Sequence, residues 1–397
     1  MLDRHFMAES PESVGIDPQK LEVLLDRAER EVREGLLPAA QIAVARQGKI
    51  AAMRTFGRVK HGGREAPATD DTLFCVFSCT KGITSAAAWL LMQEGKLKPE
   101  ERVVDIVPEF GTHGKEGIRV EQLMTHTCGF PRAPFDPVEF KQQAVRRKRF
   151  SEWRLNWEPG TRFEYHPSSS MYVVADIIER RSGIEYGEFV RQRIAKPLGL
   201  TDLWVGLPRE HHARLADIEH VGEALSADDY KRMGVPQPAE TEVTEDALTL
   251  FNQAPQREAG IPGGGGTMTA ADLALFYQAL LHGDRTGEAR PLWRAETLRM
   301  ALTVRSGELR DLLTGALANR ALGMVIAGDS QRNMRGFGHT NSELAFGHGG
   351  AGGQIAWCDP ATGVSVGYCT NGFDRNGLRQ ARRSVGIASR AASIALT

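Results

Sequence analysis

Leu21, Leu24, Leu25, Ala28 and Val32 recur at three- and four-residue intervals behind Asp17-Pro18. That spacing predicts an amphipathic helix with an aspartate cap and a proline in its first turn. Beyond Pro38 the period shortens: Gln41-Ile-Ala-Val-Ala45, a Gln47-Gly48 turn and a run from Ile50 to Phe56 predict an antiparallel hairpin. From 78 to 94 the chain is mostly small and apolar (Ala86, Ala87, Ala88, Trp89, Leu90, Leu91) and ends at Gly95. It reads as a helix buried on most of its circumference with a glycine C-cap. Between about 100 and 270, helical patterns alternate with Pro/Gly loops; 171–181 is the clearest helix, and 236–245 predicts an exposed loop. Gly353-Gln-Ile-Ala-Trp-Cys358 and Val364-Ser-Val-Gly-Tyr-Cys369 flank Asp359-Pro-Ala-Thr-Gly363, a second predicted hairpin, and 378–395 predicts an amphipathic helix on the sheet. The expected fold class is α+β. Residues 1–98 and 270–397 form an α/β domain around a central antiparallel sheet, and 99–269 form a mostly helical domain.

Composition narrows the partners. The 397 residues are 41% hydrophobic and 25% charged, an ordinary globular mixture. With 49 basic and 50 acidic side chains the net charge is −1, which argues against nucleic acid, because phosphate binding needs a surplus of Lys and Arg. Five cysteines without a C-x-x-C pair fit reduced thiols better than a disulfide framework. The first ten residues mix both charges without an apolar run, and no uncharged stretch reaches the ~18 residues that cross a bilayer. The expectation is a cytoplasmic protein with no membrane partner.

Ser78-Cys79-Thr80-Lys81 opens the apolar helix, and residues i and i+3 share a helix face. A serine becomes a nucleophile when a neighbouring base takes its proton, and a desolvated lysine can serve as that base. The same four residues also fit an N-capping serine and a lysine snorkelling out of the core.

The context resembles a family. Cys75-Val-Phe-Ser-Cys-Thr-Lys-Gly82 is followed in order by Gln93-Glu-Gly-Lys-Leu97, Leu123-Met-Thr-His-Thr-Cys-Gly-Phe-Pro131 and Trp157-Glu-Pro-Gly-Thr-Arg-Phe-Glu-Tyr165. Ile178-Glu-Arg-Arg-Ser-Gly183, Pro197-Leu-Gly-Leu200 and Phe346-Gly-His-Gly-Gly350 complete the set. Over residues 10 to 395 this resembles the serine hydrolases of the class C β-lactamase and DD-peptidase superfamily, above all their esterases, the family VIII carboxylesterases. The resemblance implies a β-lactamase/transpeptidase-like fold and no cofactor or metal. It makes Ser78 the acylated nucleophile, Lys81 its activating partner and Tyr165 the tyrosine of the second motif, relaying a proton. The amides of Ser78 and Ala351 would form the oxyanion hole, and His348, Gly349 and Gly350 would line the substrate site.

Two departures bear on chemistry. Pro167 stands where the second motif carries an asparagine, and a proline offers neither an N–H nor a side-chain donor. Ser168 and Ser169 are the candidates for the missing hydrogen bond, and the serine run also fits a helix N-cap cluster. In place of the family's third-motif Lys-Thr-Gly stands His348-Gly349-Gly350, and no lysine follows Lys231. A neutral imidazole gives up most of that motif's fixed charge, which weakens selection for an anionic β-lactam or peptide and leaves a neutral ester unaffected.

Other signals read as bland. Gly363-Val-Ser-Val-Gly367 matches a nucleophile elbow, but the flanking valines continue a strand and no histidine follows Ser365. Gly263 to Gly266 lack the Lys-Ser/Thr of a phosphate loop and predict a flexible loop before a helix over 267–281. His211, His212 and His220 lack metal spacing, Arg146-Arg-Lys-Arg149 reads as a surface helix edge, and His126 as a buried histidine holding a loop. The expected function is hydrolysis of small, short-chain carboxylic esters through a serine acyl-enzyme. The alternatives are an acyltransferase, a weak β-lactamase or amide hydrolase, and a catalytically silent binding protein on the same fold.

Overall fold

The computed structural model describes residues 3–234, 244–282 and 291–396. Most of the loop expected at 236–245 therefore lies outside the described residues.

The helix Pro18–Arg33 begins where its cap requires: the Asp17 carboxylate accepts from the Gln19 and Lys20 amides, with Pro18 in the first turn. The hairpin follows as strands Ala39–Arg46 and Lys49–His61 around Gln47-Gly48. Strand Ala39–Arg46 also pairs, antiparallel, with Val364–Thr370, setting Ala43 opposite Gly367. The two ends of the chain thus meet in the middle of one seven-stranded sheet. From one edge its order is Arg64–Pro67, Lys49–His61, Ala39–Arg46, Val364–Thr370, Ile355–Asp359, Phe346–Gly347 and Val325–Ile326.

Both faces are covered, so the central strand is buried along nearly its whole length. Period two still sorts its side chains. Ile42 and Val44 join the core made with Leu21, Leu24, Leu25 and Ala28 and with Ile387, Ala388 and Ala391 of the C-terminal helix Gly377–Ala391. Ala43 and Ala45 face the other core, with Ala270, Leu273 and Ala274 of helix Ala270–His282. That helix starts three residues later than expected, because Gly266–Met268 is a strand that pairs with Phe74–Cys75 and Trp204–Val205. Ser365 lies in the continuing strand, its hydroxyl donating to the Ala274 carbonyl and accepting from Gln278, so the elbow motif is structural.

Residues 99–269 contribute mainly helices and loops, among them Ser169–Ser182, buried on all sides from Ser169 to Ile178. One expectation fails here. Arg146 is not at a surface edge; it is 2% exposed, with Nε 2.8 Å from Asp176 and an ion pair to Glu179. Only Arg147, Lys148 and Arg149 of that run face outward. Charge clustering in the sequence could not show that helix Ser169–Ser182 supplies two buried carboxylates to this one guanidinium. All five cysteines are buried and unpaired, and among the described residues no helix is long and apolar enough to cross a membrane.

Removing one partner of a buried ion pair leaves an uncompensated charge in the interior. Arg146→Ala is expected to lower stability by about 3 kcal/mol or more, read from the urea midpoint. A loss below about 1 kcal/mol would show the pair to be solvated like a surface contact.

Candidate active site

Ser78 sits on a tight corner. Strand Phe74–Cys75 is held by Gly266–Met268, the Val76 amide donates to the Gly266 carbonyl, and the chain then turns through Phe77 at φ +45°. A left-handed phenylalanine is strained by about 1–3 kcal/mol. Its ring is gripped by Phe251 and Phe373, with centroids 5.1 and 5.0 Å away. One 3-10 turn, Phe77–Cys79, leads into helix Thr80–Gln93. Ser78 therefore lies at the helix entrance, and Lys81 follows one turn later on the same face.

The Lys81 side chain is fully buried. Its Nζ lies 3.2 Å from Ser78 Oγ and 2.6 Å from each of two carbonyl oxygens, Pro167 and Gly263. Burial pushes its pKa down, Arg320 adds to that, and Tyr165 and Cys79 oppose it. Once the amine is neutral, its two N–H groups can serve the two carbonyls and its lone pair the Ser78 hydroxyl proton. Burial drives the neighbouring Cys79 thiol well above its ordinary value, which makes it a poor competitor for the nucleophile's role.

Those carbonyls answer the question left by Pro167. Neither Ser168 nor Ser169 supplies the missing bond: the Ser169 hydroxyl donates to the Phe130 carbonyl at 3.0 Å, and Ser168 is the N-cap residue of helix Ser169–Ser182 without a side-chain cap bond. The backbone oxygen of Pro167 itself accepts from the amine. The glycine run is an anchored wall of the site. A Cβ on Gly263 would come within 3.1 Å of Pro167 O and 3.5 Å of Lys81 Nζ, so a side chain there would press on both partners of the amine. Thr84 Oγ1 donates to the Pro262 carbonyl at 2.6 Å, and the Gly266 amide to Thr80 Oγ1 at 2.9 Å.

Tyr165 is positioned by imidazoles. The His126 ring lies against it, centroids 4.7 Å apart, and His126 is itself at φ +60°. His126 Nδ1 accepts from the His166 amide at 3.3 Å. His166 Nδ1–H donates to the Glu164 carbonyl at 2.7 Å, while Nε2 accepts from the Phe130 amide at 3.2 Å. These partners specify one neutral tautomer, and burial pushes the His166 pKa down to about 3. Lys81 Nζ stands 5.0 Å from the Tyr165 ring centre.

The 348–351 segment closes the other side. His348 Nδ1–H donates to the Gly349 carbonyl at 2.7 Å, and burial together with Arg320 and Lys81 holds the imidazole well below its ordinary pKa. Gly350 has its reason in a close approach, since a Cβ there would sit 2.3 Å from the Val76 carbonyl, two residues before Ser78. That contact brings Ala351 beside the turn that carries Ser78. Among the described residues neither the Ser78 nor the Ala351 amide has a hydrogen-bond acceptor, so both N–H groups can take a developing oxyanion.

One residue escaped the sequence reading. The site does not lack a cation in its third wall, because Arg320, from a loop 28 positions earlier, donates from Nη1 to His348 Nε2 at 3.3 Å. No local pattern around Arg320 marks it; only the pairing of Val325–Ile326 with Phe346–Gly347 carries its loop to the site. Among the described residues no group of His, Cys, Asp and Glu is arranged to hold a metal. His211 packs on Trp204, His212 bonds to the Leu207 carbonyl, and His220 lies against Phe373.

Residues 25–388 match the family model described as Beta-lactamase. A provisionally named D-alanyl-D-alanine carboxypeptidase of Escherichia coli (strain K12) is 25% identical over 394 residues, covering 91% of this chain and 84% of its own. The esterase/beta-lactamase LipL of Mycobacterium tuberculosis (strain ATCC 25618 / H37Rv) is 26% identical over 322 residues, 77% of this chain and 70% of its own. In three dimensions, a family VIII carboxylesterase superposes with a TM-score of 0.74 at 24% identity, over 94% of this chain and 99% of that one.

The His166 tautomer has a pH signature. Its folded pKa lies below the unfolded value of ~6.5, so the unfolded chain takes up the proton first as pH falls. The stabilisation is complete above about pH 6.5 and declines by about 1.4 kcal/mol per pH unit towards the folded pKa. Between pH 6.5 and 5, unfolding titrations of wild type are expected to lose about 2 kcal/mol more than those of His166→Asn. Equal losses would show that the imidazole is solvated.

Proposed function

The chain belongs to the β-lactamase family, and from that membership we propose that this serine hydrolase is a carboxylesterase for small, short-chain carboxylic esters. The observation that carries the reading is the buried Lys81 amine, 3.2 Å from Ser78 Oγ with carbonyls on its other sides. The amine takes the Ser78 proton as Oγ bonds to the ester carbonyl carbon, and the Ser78 and Ala351 amides receive the oxyanion. Collapse breaks the bond to the alkoxy oxygen, which takes a proton through Tyr165 and leaves as the alcohol. A water then attacks the acyl-enzyme, giving its proton to the same base, and the acid departs with Ser78 restored.

Two features favour an ester over a β-lactam or peptide. The 348 position carries an uncharged imidazole where a lysine would present an ammonium to a substrate carboxylate. The cation that is present is already engaged, donating to His348 and flanked by the rings of Phe163 and Tyr165. An alkoxide also leaves with less proton assistance than an amine. The same machinery would pass its acyl group to an alcohol in place of water, so acyl transfer is the minor outcome of this mechanism.

A fluorophosphonate probe should add once, at Ser78, located by mass spectrometry. Purified protein should hydrolyse p-nitrophenyl butyrate faster than p-nitrophenyl palmitate and faster than it opens nitrocefin, and Ser78→Ala should lose at least about 1,000-fold. An adduct at another residue would end the mechanistic assignment. Faster turnover of nitrocefin, or of the palmitate ester, would end the substrate assignment.

A further inference from the structure

Arg320 takes no part in the steps above, yet it is the one strong cation in the third wall. Its backbone is fixed: its amide donates to Ser306 Oγ at 3.0 Å, and its carbonyl accepts from the Arg305 and Ser306 amides at 2.8 and 3.3 Å. The guanidinium carbon lies 5.3 Å from the centre of the Phe163 ring and 5.5 Å from that of Tyr165. Nη1 donates to His348 Nε2, and Nε is buried without a partner. Among the described residues neither Arg320 nor Lys81 forms an ion pair. Two basic side chains therefore share one phenol ring, Lys81 at 5.0 Å from its centre, with no carboxylate paired to either.

Two like charges cannot both persist cheaply in such a place, and only one of these groups can lose its proton. A guanidinium stays charged in proteins, whereas an ammonium gives way. We propose that Arg320 is a positioning residue whose fixed charge keeps the Lys81 amine in its proton-free, basic form and which seats His348 as a neutral acceptor. The proposal rests on the acyl-transfer reading above, in which that amine is the base.

The surroundings divide by sign. Lys81 is faced by Tyr165, Cys79, His126, His166 and His348 besides Arg320, and Arg320 by Tyr165, His348, His126, Asp311 and Arg335. Burial and the Arg320 charge both drive Lys81, His126 and His348 towards their unprotonated forms, while Tyr165 acts on Lys81 in the opposite sense. Tyr165 and Asp311 act in the opposite sense on Arg320, favouring its charge. Removing the guanidinium lets Lys81 hold its proton to higher pH, so the acid limb of Ser78 reactivity must move upward.

The test follows the rate of Ser78 labelling by a fluorophosphonate across pH 5 to 10, in the full-length protein and its variants. Arg320→Gln is expected to move the acid limb up by about one pH unit, with labelling about 10-fold slower below the limb and an unchanged plateau above it. Folding is checked by circular dichroism, with Arg320→Met as a second neutral variant. An unmoved limb in a folded neutral variant overturns the proposal. So does a loss confined to p-nitrophenyl hemiglutarate with p-nitrophenyl acetate unaffected, which would make Arg320 a carboxylate clamp. Failure of both neutral variants to fold would make the guanidinium structural and end the assignment as well. Wild type without a Ser78 adduct would sink the acyl-transfer reading, and this assignment with it.

Discussion

A lysine amine buried without a carboxylate is the constraint around which this structure is arranged. An isolated ammonium in the interior is costly, and the protein meets that cost with neutral oxygens in place of an acid. Pro167 and Gly263 each offer a carbonyl at 2.6 Å, and Ser78 lies at 3.2 Å. A carboxylate in their place would hold the proton on nitrogen. Carbonyls orient the amine and leave it free to titrate.

Meeting that constraint dictates much of the packing. The two carbonyls come from segments 86 and 182 residues away from Lys81, so each must be brought in and held by something else. The glycine-rich wall is tied to helix Thr80–Gln93 through Thr80 and Thr84. The Tyr165–Pro167 segment is tied to the 126–130 loop through His126, His166 and Ser169. Behind it, helix Ser169–Ser182 is pinned by the buried Arg146 ion pairs. Strain at Phe77 and His126, both at positive φ, is concentrated beside Ser78 and Tyr165. Such strain persists because aromatic neighbours on several elements leave those residues no alternative.

The third wall shows how one role can change address. Position 348, just past strand Phe346–Gly347, carries an imidazole, and the positive charge arrives from a loop that precedes a neighbouring strand. The histidine then serves as a spacer: its Nδ1–H is engaged by Gly349, so only Nε2 can accept from Arg320. A charge placed this way reaches the cluster of Lys81, Tyr165 and His126.

Local order was legible along the chain. The capped first helix, the hairpin at 47–48, the apolar helix behind Ser78 and the C-terminal hairpin follow from periodicity and turn residues, which act over a few positions. The one-turn spacing of Ser78 and Lys81 likewise fixes their common face, since helix geometry alone decides it. What tertiary structure decided were the contacts made by groups with no pattern to announce them: a proline carbonyl standing in for an asparagine, a glycine run that forms a wall and a strand, Arg146 buried in a basic stretch, and Arg320 reaching His348. Backbone carbonyls are the same at every residue, and a single arginine carries no period. Their roles emerge only when the ends of the chain pair in one sheet and bring distant loops within hydrogen-bond distance.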